Sequence, residues 1–179
     1  MFGSCTASGG AIGDCEIGDS YNAGEAEING FEIFGQTVFE SGGLTFPVSL
    51  SYTSTSAEFE NTFSSSFWGT VTSGDDIPDT VDSQLAFSVG FDNGAGWSGN
   101  ATYYSFGDTC SVASCPAGTE IDSHSELDLV ITRKFSESLD GYLTIMNVTE
   151  EEDIVARAPK NGARAQMPRT ALVGLRWRF

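Results

Sequence analysis

The chain of 179 residues has little that a soluble enzyme or a nucleic-acid binder would need. No apolar run approaches the roughly 20 residues of a spanning helix, so a helical membrane protein is excluded. There is one His, no nucleophile elbow and no phosphate-cradling glycine motif; no active site and no cofactor are expected. Residues 1–132 contain no Lys or Arg against 19 acids, and all eight basic residues fall in 133–179 against six acids. A formal charge of -17 with that distribution argues against nucleic acid as a partner. No Cys-x-x-Cys occurs, and the four cysteines are too loosely spaced, with His124 the only imidazole, for a zinc site. The start, Met1-Phe-Gly-Ser-Cys-Thr-Ala-Ser-Gly-Gly, has neither the basic segment nor the apolar core of a secretory signal; Met1 reads as an internal start or cut point.

What is present is alternation. At the end of the chain Ala171, Val173, Leu175, Trp177 and Phe179 alternate with Thr170, Leu172, Gly174, Arg176 and Arg178, a period of two that puts an apolar row on one side of an extended strand. Six further strands are expected upstream: Glu25 to Phe39, Leu44 to Phe59, Ser83 to Asp92, Trp97 to Phe106, Ser123 to Phe135 and Leu139 to Thr149. The first changes phase near Gly30, which suggests a bulge. Ser41-Gly-Gly43, Asn93-Gly94 and Ser136-Glu-Ser138 make short turns. Residues 60–82, the segment around the second cysteine pair, and 150–168 make long loops.

Short and long connections alternate without exception. That is the pattern of a transmembrane antiparallel β-barrel, with short periplasmic turns on one rim and long extracellular loops on the other. Seven strands cannot close a barrel that counts in even numbers from eight, so the fold expected is all-β, a partial wall of about seven strands. Tyr52, Phe87, Trp97, Leu129, Leu175, Trp177 and Phe179 are expected to face lipid. Residues 1–23 read as part of an extracellular loop, and 24–179 as the wall. The pairs Cys5/Cys15 and Cys110/Cys115 each sit in a Gly/Ser/Ala-rich segment, fitting two short loop disulfides outside the cell. The rival architecture is a soluble seven-stranded β-sandwich, which also alternates along its strands.

Three stretches resemble the C-terminal part of TonB-dependent outer-membrane receptors, particularly the ferric-citrate-receptor-like group. They are Asn22-Ala-Gly-Glu-Ala-Glu-Ile-Asn-Gly-Phe-Glu32; Ile121 to Asn147-Val-Thr; and Pro159-Lys-Asn-Gly-Ala-Arg164 with Met167-Pro-Arg169 and Gly174 to Phe179. The third is the most specific. The chain departs from the family at Ile77-Pro78-Asp-Thr-Val81 and at Glu150.

The resemblance implies energised import across the outer membrane of Gram-negative cells. A barrel of roughly 22 strands encloses an N-terminal plug, the loops capture an iron–siderophore or ferric-citrate-like chelate, and the TonB complex pulls on a motif ahead of the plug. Neither plug nor motif is found in these residues. By the same resemblance Glu32 faces the lumen and meets a plug arginine, and Trp177 and Phe179 form the terminal signal for the barrel-assembly machinery.

The expected ligand contacts are Phe67 and Trp68, which equally suit an aromatic girdle at the lipid headgroups, and Arg157, Lys160 and Arg164, which suit an anionic chelate or offset the adjacent acids. Asp75, Asp76, Asp79 and Asp82 lack the spacing of a calcium loop and read as solvated, so no metal site is expected. Two readings from other classes stay open: a secreted β-sandwich binding carbohydrate or a protein through its aromatic loops, and a passive structural barrel formed by oligomerisation.

Overall fold

The structure is a computed structural model and describes residues 5–6, 21–22, 25–65, 69–157 and 162–179. Seven strands form one antiparallel sheet: β1 (Ala26–Ser41), β2 (Leu44–Phe59), β3 (Ser83–Asp92), β4 (Trp97–Phe106), β5 (His124–Lys134), β6 (Leu139–Met146) and β7 (Thr170–Trp177). They stand side by side in chain order, each paired with its predecessor. Such a meander is what hairpin turns produce.

The turn after β1 has φ of 59° and 80° at Gly42 and Gly43, a left-handed pair that a two-residue hairpin requires and glycine supplies without strain. After β3 the turn is longer. Asn93 Oδ1 accepts hydrogen bonds from the N–H groups of Ala95 and Trp97, which closes a loop over residues 93–96 in place of a two-residue Asn-Gly turn.

The ladder registers decide the faces, because residues paired across a ladder share one side of the sheet. Phe31 pairs with Ser54, Ile33 with Tyr52, Leu50 with Phe87, Phe87 with Tyr103, Ala101 with Leu129, Leu129 with Ile145, Leu143 with Val173, and Leu139 with Trp177. One face is therefore apolar from β1 to β7. Tyr52, Phe87, Trp97, Leu129, Leu175 and Trp177 all lie on it. The opposite face holds Glu32, Gln36, Ser49, Ser51, Thr53, Gln84, Ser88, Asn100, Thr102, Asp128, Thr144 and Arg176.

The apolar face is uncovered: Val173 is 82% exposed and Trp177 73%. In a sandwich those side chains would be the core, packed on a second sheet. Here the few buried apolar residues among those described lie in the loops and at the outer end of β2, and the wall is one layer thick.

The expected bulge at Gly30 is absent. Pairing of β1 with β2 runs from Ala26 opposite Phe59 to Ser41 opposite Leu44 without a register shift. The apparent change of phase arises because β1 carries apolar residues on both faces: Phe31, Ile33 and Phe39 on the apolar one, Ile28, Phe34 and Val38 on the polar one. An ideal Cβ at residue 30 would sit 2.4 Å from the Ser54 carbonyl oxygen, so glycine there permits close approach of the two strands.

Candidate functional site

Two surfaces have the geometry for recognition: the polar wall face and the rim of long loops. On the polar face, β2, β3 and β4 present an uncharged strip from Ser49 to Thr102. Within it Ser88 Oγ donates to Asn100 Oδ1 at 2.8 Å, and Asn100 Nδ2 donates to Thr102 Oγ1 at 2.8 Å. A crevice of about 540 Å³ lies beside this network, lined by Gln36, Val38, Pro47, Ser49, Ser88 and Asn100 among others. Glu32 stands on the same face, opposite Thr53 in the ladder.

Charge flanks the strip. Asp140 pairs with Arg178 at 2.5 Å near the short-turn rim, and Asp128 accepts a hydrogen bond from the Asn147 N–H.

The segments read as long loops contain short antiparallel hairpins: Phe63–Ser65 with Gly69–Val71, Thr109–Cys110 with Glu120–Ile121, and Ile154–Arg157 with Ala163–Ala165. Cys5–Thr6 also pairs with Tyr21–Asn22, in parallel. Above the sheet Phe59, Val71 and Ala113 form a small core with Phe63 and Ile77 packed against it; Val71 is fully buried. Phe59 and Phe63 meet edge to face with ring centroids 5.3 Å apart.

This core joins the first long loop to the second. The Asp79 N–H donates to the Cys110 carbonyl at 2.9 Å and Thr109 Oγ1 to the Thr80 carbonyl at 3.0 Å, while the Cys110–Cys115 disulfide closes the second loop on itself. Of the expected Cys5–Cys15 bond, Cys15 lies outside the described residues.

The third loop is tied in by Arg157, whose Nε donates to the Glu120 carbonyl at 2.8 Å. Hydrogen bonds from its own backbone N–H and from that of Gly118 hold the Glu120 carboxyl below the usual carboxylate range. The reverse holds at the outer end of β2, where sharing a hydrogen bond with Glu27 pushes Glu60 up.

At the base of the third loop stands Asn147, fully buried and in the left-handed region at φ 49°. Its Nδ2 donates to the carbonyls of Glu151 and Met167, and its Oδ1 accepts from the Glu151 N–H. A short amide that tolerates positive φ while satisfying three backbone groups is hard to replace. Arg169 adds an ion pair to Glu150 at 2.6 Å.

Of the expected ligand contacts, only Arg157 and Arg164 fall among the described residues, and those two do not converge. Arg157 is committed to Glu120, and Arg164, although exposed on the same hairpin, sits at the neighbouring pair position and hence on its other face. Phe67, Trp68 and Lys160 lie outside the described residues. Asp75 Oδ2 accepts from the Thr72 N–H and Asp82 Oδ1 from Ser83 Oγ, local turn roles; among the described residues no group of acids is arranged to hold a metal.

Two features went unread in the sequence. Gln166 is buried and bridges to the Ser125 carbonyl and to Glu126, and Arg133 lies over Trp97. The first lacked any periodic signal; the second was legible as a cation in the apolar phase of β5.

A single-layer sheet with one apolar and one polar face defines a wall segment of an outer-membrane β-barrel. Solved receptors share it. The chain is similar to the siderophore receptor PiuA from Acinetobacter baumannii, with a TM-score of 0.74 and 15% identity over 88% of this chain and 22% of that one. It is similar also to the ferric-catecholate import receptor Fiu from E. coli K12, with a TM-score of 0.60 and 14% identity over 98% of this chain and 31% of that one. The chain thus spans between a fifth and a third of the length of these receptors, and the likeness is one of fold. No protein-family model and no curated protein matches the sequence.

Proposed function

We propose that this wall is the C-terminal barrel portion of a TonB-dependent receptor that takes up an iron–siderophore or ferric-citrate-like chelate across the outer membrane. Residues 1–23 then belong to an extracellular loop, Glu32 meets the plug, and the TonB complex acts through an N-terminal part. The observation that carries the reading is the two-faced register maintained across all seven strands, in a chain whose fold follows siderophore and ferric-catecholate receptors over most of its length. Trp177 and Phe179 serve assembly from the edge of the wall, and Arg164 is, among the described residues of the third loop, a basic side chain left available to an anionic chelate, with Lys160 beside it in the sequence.

Parity of the strands speaks against a passive barrel made of identical copies. Six antiparallel steps separate β1 from β7, so the two edge strands run in the same direction. Copies joined in a ring would have to pair them in parallel. Antiparallel closure needs an odd number of further strands, which the remainder of a receptor barrel provides. A soluble binding module is disfavoured by the uncovered apolar face.

The test is iron accumulation in cells stripped of their own chelate receptors and expressing the coding region with the DNA upstream of Met1. Uptake of iron supplied as a siderophore or citrate chelate, abolished without TonB, is expected. Unrelated or terminated sequence upstream, with no uptake, overturns the reading.

A further inference from the structure

Within its seven strands the apolar face carries one basic side chain, Arg133. It is the penultimate residue of β5, opposite Trp97 in one ladder and Gly141 in the other. Its guanidinium lies over the Trp97 ring, 5.1 Å from the centroid, and Nη1 donates to the Ala95 carbonyl at 2.9 Å. Gly96, at φ 91°, keeps the turn close: a Cβ there would stand 2.8 Å from the Lys134 carbonyl oxygen and 3.5 Å from Arg133 Nη1. The guanidinium is therefore held by a stack and one hydrogen bond, with further N–H groups unspent. None of the three ion pairs among the described residues includes it.

Its surroundings are those of a membrane interface. Phe39, Phe46, Trp97, Phe135 and Trp177 lie on the same face toward the same rim, an aromatic girdle at headgroup depth. Phe135 folds over Gly141, where a Cβ would come within 2.8 Å of its ring. A cation turned toward hydrocarbon is costly unless it reaches the interface and meets an anion there. The planar fork of arginine suits a phosphodiester, and the anion available at this depth is the phosphate of a lipid.

We infer that Arg133 and Trp97 form a headgroup site for a glycerophospholipid of the leaflet bordering the short turns. Arg133 binds the phosphodiester and Trp97 fixes the guanidinium plane. The site rests on the reading of the apolar face as lipid-facing.

The test uses the closed barrel, expressed from the coding region together with the DNA upstream of Met1, in nanodiscs of phosphatidylcholine doped with phosphatidylglycerol, with bound phosphatidylglycerol counted by native mass spectrometry after release into detergent. The protein is expected to retain phosphatidylglycerol, with affinity falling at least fivefold in Arg133→Gln and unaffected by millimolar inorganic phosphate. Equal retention in the two, with both inserted, overturns the site but leaves the wall reading intact; failure of both to insert overturns the lipid-facing reading itself. Should Arg133→Gln not fold, Arg133→Lys, which keeps the charge but not the fork, is expected to bind more weakly than the parent. Undiminished binding there also overturns the proposal.

Discussion

The wall and the loop rim solve opposite problems with the same kind of chain. In the wall, side chains such as Val173 and Trp177 are exposed, which the proposed reading explains by lipid as their partner; in the rim, Val71 and Asn147 are fully buried within the protein itself. Wall strands draw their order from long ladders and, on the proposed reading, from lipid. The rim draws its order from a small core, a disulfide and backbone hydrogen bonds from Asn147 and Arg157. The same residue type should therefore respond differently in the two places.

The largest effect is expected from a charge placed on the two faces of the wall. In the closed barrel expressed with the region upstream of Met1, Leu129→Arg should destabilise the inserted protein by about 2–4 kcal/mol and Ser51→Arg, on the polar face, by less than about 1 kcal/mol, as read by urea unfolding in phospholipid vesicles. Similar values for the two would erase the distinction between faces. Next comes Asn147→Ala, which strands three backbone groups and should cost about 2–3 kcal/mol. Its signature is faster hydrogen exchange at Glu151 and around Met167, with β2 and β3 unaffected. The smallest pair is Val71→Ala against Val173→Ala: about 1–2 kcal/mol for the buried valine, and a few tenths for the one that faces lipid, where removed contacts are replaced by acyl chain. Loss of stability at Val173 equal to that at Val71 would mean the apolar face is a buried core.

Much of the wall was legible in the sequence because a period of two needs no knowledge of distant residues. The bounds of β2, β3 and β4 were read to the residue, each flanked by glycine, asparagine, serine or aspartate at a turn. β1 was harder, since Ile28, Phe34 and Val38 supply a second apolar row out of phase with the first, and only its ladder with β2 shows that no residue is extra. The strands of the loop hairpins are two to four residues long and hold too little alternation to detect; they share a core that brings Val71 and Ala113 together from far apart in the chain. Of the ligand contacts, residue type alone suggested Arg157 as an anion contact. Its engagement with the Glu120 carbonyl depends on how two loops meet, which no local pattern encodes.

The most direct test of the two-faced wall is a spin label at position 129, on the apolar face, compared with one at position 102, on the polar face, in the protein expressed with the region upstream of Met1 and reconstituted in vesicles. Leu129→Cys labelled in this way should be relaxed by oxygen and shielded from a water-soluble nickel chelate; Thr102→Cys should show the reverse preference. Equal exposure of both labels to the nickel chelate would contradict the account and return the chain to the soluble β proteins.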